Sequence, residues 1–292
     1  MTSRSRGINR RSTYSLARRR RRRPGRLLAI TLIVLVAGAI IVKAVTETNT
    51  HGARAIGYAV PGPGGKAMPQ LVVVPAHAAR RPPLLVFLHG KGQDQSSSAT
   101  SAFYAALAAA GPEAPDVVFP YGGEDSYWHN RETGDWGRYV MDGVIPAAIK
   151  RLHADSHRVA IAGLSMGGFG AYDLARLHPG RFCGVGADSA ALWRQGGETA
   201  TGAFDNGEDF ERHNVIEAAQ SSTNPYPGAR LWLDVGTEDP FRPADTSLAD
   251  ALRTKGVAVS FHVWPGGHDE SYWNSHWAAV LRFFTKALAA CR

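Results

Sequence analysis

Residues 158–170 read RVAIAGLSMGGFG, an apolar run that passes without a linker into a serine flanked by glycines and then into a helix-forming segment. This junction limits the fold more than any other stretch. A strand that turns directly into a helix needs the small residues of Gly163-Leu164-Ser165-Met166-Gly167, because strand, turn and helix must meet where side chains would collide. The rest of the chain keeps the same rhythm of short apolar runs alternating with longer helix-like stretches, which a mostly parallel α/β sheet requires. Strands are expected near 56–60, 70–74, 84–89, 116–119, 158–162, 183–187, 230–235 and 258–263. Helices are expected near 98–110, 139–152, 166–177, 245–255 and 271–290. No helix separates the first two strands, so they should start the sheet as an antiparallel pair. Two irregular insertions, 121–137 and 189–214, follow strands and should border the carboxyl edge of the sheet, where open α/β folds place their ligands.

The net charge of +8 over 292 residues suggests an anionic partner until its position is considered. Eleven arginines fall within residues 1–26 and Lys43 follows, which leaves 21 basic against 25 acidic residues from 46 onward, a net of −4. A mildly acidic folded part offers nothing to a polyanion, so no nucleic-acid partner is expected. The basic tail, 1–26, precedes an apolar run, 27–45, interrupted only by Lys43. As a helix, these nineteen residues would span about 28 Å, close to a bilayer's hydrocarbon thickness. Arginine before the run and little positive charge after it predict a transmembrane signal anchor with the following domain outside the cytoplasm, or secreted. A cleaved export signal is the alternative, with Ala53-Arg54-Ala55 as a possible site. Residues 46–55 are expected to be a linker and 56–292 the catalytic domain. Cys183, at a strand start, and Cys291, at the end of the last helix, are expected on one edge of the sheet. In an exported domain they could form a disulfide, and they could equally be two buried thiols.

The strand-turn-helix setting makes Ser165 a candidate nucleophile, exposed above the sheet at a helix N-terminus that favours developing negative charge. A serine hydroxyl needs a base, and in this arrangement the chain order is serine, acid, histidine. His268, in WPGGHDE after the last strand, is the best-placed base. His178 ends a helix, His262 and His276 lie within regular elements, and His213 stays open within an insertion. The acid should follow the preceding strand, in LWLDVGTEDPF. Asp239 is preferred, Glu238 is second, and Asp234 is still within the strand and more fitted to a structural role. Backbone N–H donors for an oxyanion are expected from Met166 and from Lys91 in LHGKGQD, with His89 a structural residue of that loop.

Together, LHGKG, AIAGLSMGGFGA, GTEDPF and GGHDESYW resemble the α/β-hydrolase esterases of the esterase D group, which includes S-formylglutathione hydrolases and mycolyltransferase antigens. The resemblance covers most of residues 70–290. It implies an α/β-hydrolase fold with about eight strands, serine-dependent cleavage or transfer of acyl groups, a small-molecule or lipid ester as substrate, and a Ser165-His268-Asp239 triad. Such chemistry calls for no metal and no organic cofactor. Transfer of the acyl group to an acceptor hydroxyl is the alternative outcome of the same triad, as is thioester hydrolysis. A non-catalytic binding module would be expected to have lost part of the set.

Overall fold

The computed structural model describes residues 48–77 and 79–291. The basic tail and the expected membrane segment lie outside them. Among the described residues, no helix is long and apolar enough to cross a membrane. Eight strands form one sheet: β1 (Arg54–Pro61), β2 (Ala67–Val74), β3 (Leu84–Leu88), β4 (Asp116–Pro120), β7 (Val159–Leu164), β8 (Gly184–Asp188), β9 (Arg230–Gly236) and β10 (Val259–Trp264). A two-residue hairpin, β5 (Asn130–Arg131) and β6 (Gly134–Asp135), stands apart within the first insertion. The order across the sheet is β1-β2-β4-β3-β7-β8-β9-β10. β1 and β2 are antiparallel, as the missing helix between them predicts, and β2 is also antiparallel to β4. All other pairs are parallel. β1 begins at Arg54, inside the stretch expected to be linker, because the β2 partner strand reaches far enough to pair Arg54 with Val74.

The central strands are almost wholly apolar and buried on both faces, as parallel strands covered by helices must be. On one face, α1 (Ser101–Ala109) and α7 (Glu270–Ala289) pack over Phe87, Phe119, Trp232 and Leu85. On the other lie α2 (Ile145–Leu152), α3 (Met166–Leu177) and α6 (Arg242–Thr254). A helical stretch leads into α2 from Trp136, earlier than the apolar pattern suggests, and passes through a π-helical segment, Tyr139–Val144. That wider turn directly precedes Pro146, whose nitrogen cannot donate and whose ring crowds the preceding turn.

Two further helices, α4 (Gly207–His213) and α5 (Val215–Ser221), occupy the second insertion and its exit. Each is one to two turns long and has almost no apolar periodicity. Side-chain caps mark their starts: Asn206 accepts from the Asp209 N–H, and Asn214 from those of Ile216 and Glu217.

The topology places the site. β3 connects through α1 to β4 on one side, and β4 connects through α2 to β7 on the other side of β3. The connections after β3 and β7 therefore diverge, opening a crevice above their carboxyl ends. Gly90-Lys91 and Ser165 follow these two strands.

At the opposite edge, Cys183 and Cys291 form a disulfide with Cα atoms 5.5 Å apart, joining the start of β8 to the end of α7. It closes a chain separation of 108 residues, so it should stabilise the fold chiefly by restricting the unfolded chain. Replacing Cys291 by serine, with Cys183 also serine, should cost about 2–4 kcal/mol of unfolding free energy in denaturant titrations. A double variant as stable as the parent would show that the bond constrains nothing the packing does not already fix.

Candidate active site

Ser165 has φ 52° and ψ −115°, a conformation that L-residues rarely adopt, and its surroundings hold it there. Its N–H donates to the Asp188 carbonyl at 3.0 Å, and its own carbonyl accepts from Ala191 at 3.0 Å and Phe169 at 3.1 Å. The neighbouring glycines answer to crowding: a Cβ on Gly167 would run into the Leu88 carbonyl, and one on Gly163 into the backbone of Gly167. Strand β3 and helix α3 thus meet backbone to backbone beside the serine.

Asp239 and His268 arrive from the loops that follow β9 and β10. The Ser165 Oγ lies 2.9 Å from His268 Nε2, and His268 Nδ1 lies 2.9 Å from Asp239 Oδ2. With Asp239 ionised, Nδ1 carries the proton and Nε2 is the acceptor facing the serine hydroxyl. Burial by itself would raise the Asp239 carboxyl. Bonds from His268 and from the Phe241 N–H, 2.8 Å from Oδ1, outweigh it and hold the group below the usual carboxylate range. The acid and histidine loops are stitched together by Thr237 N–H to the Trp264 carbonyl at 2.8 Å and Glu238 N–H to the Gly266 carbonyl at 2.9 Å. The phenyl ring of Phe241 and the indole of Trp273 flank the imidazole, with ring centres 5.1 and 5.2 Å away.

The remaining sequence candidates separate cleanly. Glu238 is exposed and approaches the histidine loop only through its backbone. Asp234 is fully buried and accepts from Trp232 Nε1 at 2.6 Å and the Tyr272 hydroxyl at 2.8 Å. His213 pairs with Asp173 of α3 at 2.8 Å, beside His129 and Asp209, and His262 and His276 both stack on Trp264. Sequence reasoning passed over Ser189, held at φ 51° at the end of β8 with its hydroxyl towards Asp239, and Trp273, one turn into α7. The strand-end pair Asp188-Ser189 was the available signal for the first.

The loop after β3 is equally specific. A Cβ on Gly90 would lie 3.5 Å from the Ser165 Cβ, so the loop runs alongside the nucleophile turn. Gly90 N–H donates to Gln93 Oε1 at 2.9 Å, Gly92 N–H to the Glu124 carbonyl at 2.7 Å, and Gln93 N–H to the Gly90 carbonyl at 3.2 Å. Among the described residues, the Lys91 N–H alone in this turn donates to no protein acceptor. Met166, at the first position of α3, likewise offers an N–H with no helical partner.

Both insertions wall the crevice. Arg131 fastens one to the other through Asp205 at 3.0 Å and the carbonyl of Gly202 at 2.8 Å. Rings of Tyr127, Phe204, Trp193 and Phe241 then pack one against the next towards His268. His89 ties this wall to the loop after β3: its Nδ1–H donates to the Gly90 carbonyl at 2.8 Å and its Nε2 accepts from Gly122 N–H at 3.0 Å.

With fold and geometry in view, comparison with known proteins is decisive at one level. Residues 65–284 match the family described as "Putative esterase". The chain belongs to this esterase family. A Mycobacterium tuberculosis esterase is 23% identical over 230 residues, which are 65% of this chain and 49% of that protein. The chain thus spans about half the length of the curated relatives it matches first. Among solved structures, a ferulic acid esterase superposes with a TM-score of 0.71 at 22% identity, covering 80% of this chain and 98% of its own. An S-formylglutathione hydrolase from Agrobacterium tumefaciens gives 0.67 at 19% identity, covering 81% and 96%. The Mycobacterium tuberculosis protein MPT51 gives 0.63 at 18%, covering 80% and 99%. These likenesses establish the α/β-hydrolase fold, and the family match establishes membership of the esterase family.

His89 generates a pH prediction. Burial pushes its imidazole down to about 4, against the opposing Gly90 bond and the Asp94 charge. Its folded value lies below the ordinary 6.5, so its stabilisation is complete above pH 6.5 and is lost as pH falls towards 4. Unfolding free energy should therefore fall more steeply between pH 6.5 and 4 in the parent protein than in His89→Gln. Parallel slopes in denaturant titrations across that window would refute the assignment of a neutral, structural imidazole.

Proposed function

We propose that the protein is a carboxylic-ester hydrolase working through an acyl-enzyme, with Ser165 as nucleophile, His268 as base and Asp239 as the acid that orients it. A single observation carries this reading: an unbroken hydrogen-bonded line, 2.9 Å at each step, from Ser165 Oγ through the imidazole to Asp239. His268 takes the hydroxyl proton as Ser165 Oγ bonds to the acyl carbon, and the carbonyl oxygen gains the displaced electron pair. The N–H groups of Met166 and Lys91 receive that oxyanion, because both belong to turns beside the serine and neither is used within the protein. Collapse breaks the bond to the alcohol oxygen, which leaves with the proton from His268. Water then attacks the acyl-serine, giving its proton to His268, and the second collapse returns that proton to Ser165 Oγ. Asp239 stays ionised throughout and stabilises the imidazolium.

The domain is further proposed to work outside the cytoplasm, anchored or released by its apolar N-terminal segment. The Cys183–Cys291 disulfide supports this placement, since such bonds persist in oxidising compartments. The alcohol and acyl groups of the natural ester belong to chemistry that an ester panel, run with and without acceptor hydroxyls, would define; acyl products on the acceptor would identify a transferase.

Ser165→Ala should abolish hydrolysis of a short activated ester and labelling by a fluorophosphonate. Asp239→Asn should lower kcat by about 10³–10⁴ because the imidazole loses its preferred tautomer, whereas Glu238→Gln should stay near the parent rate. Turnover retained by folded Ser165→Ala, or a larger loss in Glu238→Gln than in Asp239→Asn, would overturn the assignment.

A further inference from the structure

The histidine loop, Pro265 to Asp269, has little of its own to hold it. Two of its residues, Gly266 and Gly267, are glycine, and Gly266 sits at φ 138°. Among the described residues, no backbone hydrogen bond involves Gly267 or His268. The loop is fixed from its two sides. On the strand side, Thr237 and Glu238 N–H groups take the carbonyls of Trp264 and Gly266. On the helix side, Asp269 caps α7 by accepting from the Ser271 and Tyr272 N–H groups at 2.9 and 3.1 Å.

Tyr272 adds the fastening that reaches furthest into the protein. It lies one turn after His268 and is 2% exposed. Its ring packs under the loop so closely that a Cβ on Gly266 would come within 2.7 Å of its Cδ2. Its hydroxyl donates to Asp234 Oδ1 at 2.8 Å, deep in β9, the strand whose end carries Asp239. Asp234 is a strong acceptor there: Trp232 Nε1 donates to its other oxygen, and Asp188 stands opposite it in register on neighbouring β8. Burial and the charge of Asp234 raise the Asp188 carboxyl, and burial raises that of Asp234. A buried tyrosine must satisfy its hydroxyl somewhere, and any core acceptor would do for stability. Here the acceptor belongs to the strand of the acid and the tyrosine to the helix of the base.

We infer that Tyr272 is a positioning residue for the proposed base: seated on Asp234, it sets the depth and orientation at which its loop presents His268 to Ser165 and Asp239. The inference rests on His268 being the base. Removing the hydroxyl leaves the ring under Gly266 but lets the loop ride away from β9, so the imidazole samples orientations that break one of its two bonds. Ground-state binding of the ester does not involve this bond. Chemistry does.

The test compares Tyr272→Phe with Trp232→Phe, each assayed on an activated ester with kcat expressed per serine titrated by a fluorophosphonate. Trp232→Phe removes a donor from the same carboxylate while keeping an aromatic ring against Phe283 of α7 and leaving the Tyr272–Asp234 bond in place. Tyr272→Phe should lower kcat about tenfold with KM within about twofold, whereas Trp232→Phe should keep kcat within about twofold. The downfield proton resonance of His268 Nδ1–H should broaden through solvent exchange in Tyr272→Phe and stay sharp in Trp232→Phe. An unchanged kcat in Tyr272→Phe, or an equal loss in Trp232→Phe, would overturn the inference, the second because it would mark general loosening of the core. His268→Ala separates this from failure of the underlying reading: if His268→Ala turns over freely, the base is misassigned, whereas if only Tyr272→Phe does, the positioning role is wrong. Should Tyr272→Phe not fold, hydrogen exchange in the parent decides. The amide of Tyr272 should be as protected as those of β9, and rapid exchange would overturn the proposal.

Discussion

The close approach of α3 to the carboxyl ends of β3 and β7 is the constraint on which the rest depends. Gly167 meets the Leu88 carbonyl with no room for a Cβ, and Gly163 meets Gly167 in the same way. This backbone-to-backbone contact forces Ser165 into its unusual conformation and lifts its hydroxyl over the sheet. It also brings the loop after β3 alongside, so that one contact determines where a nucleophile and an unpaired amide can stand together. The cost of the strained serine is of the order of 1–3 kcal/mol, and the bonds from Asp188, Ala191 and Phe169 around it supply the compensation.

Around that contact the polar groups form concentric arrangements. Closest are Ser165, His268 and Asp239. Beneath them Asp188, Asp234 and Tyr272 are buried and mutually satisfied, and on the insertion side His89 and Trp128 join loop to wall, the indole N–H of Trp128 reaching the His89 carbonyl at 3.2 Å. Several of these groups are paired with an element other than their own: Tyr272 of α7 with Asp234 of β9, and Trp128 of the first insertion with the His89 carbonyl. Such cross-element pairing turns separate strand ends into one rigid frame, because loosening any loop would strand a desolvated group in another.

Much of this was legible in the chain. The central strands announce themselves because parallel strands buried on both faces must be continuously apolar. The three candidate residues that the structure brings together could be picked out because each follows a strand in a fixed order, and a pair of glycines precedes His268. The acid required a choice between Asp234, Glu238 and Asp239, and side-chain alternation along a strand decides it: Asp234 points into the core and Asp239 lies past the turn. What could not be read were α4 and α5, whose seven-residue lengths carry no periodicity beyond their asparagine caps, and the early start of the helix at Trp136. Nor does sequence spacing reveal long-range pairs such as Arg131 with Asp205 or Tyr272 with Asp234, since they depend on which insertion folds over which strand end. The membrane segment stands on its hydropathy and charge pattern.

Helix α7 deserves to be seen as a rod pinned at both ends. Twenty residues long, it spans about 30 Å. Its first turn is tied to β9 through Tyr272, and the residue just beyond its last turn, Cys291, is bonded covalently to the foot of β8. A helix held at one end can slide along a sheet by ratcheting its side chains past those beneath, and the displacement grows towards the free end. Pinned twice, α7 has no such freedom, and a shift at the disulfide edge would be transmitted along its length to the histidine loop. The covalent bond at the far side of the domain is thereby part of the ruler that fixes how far an imidazole stands from a serine.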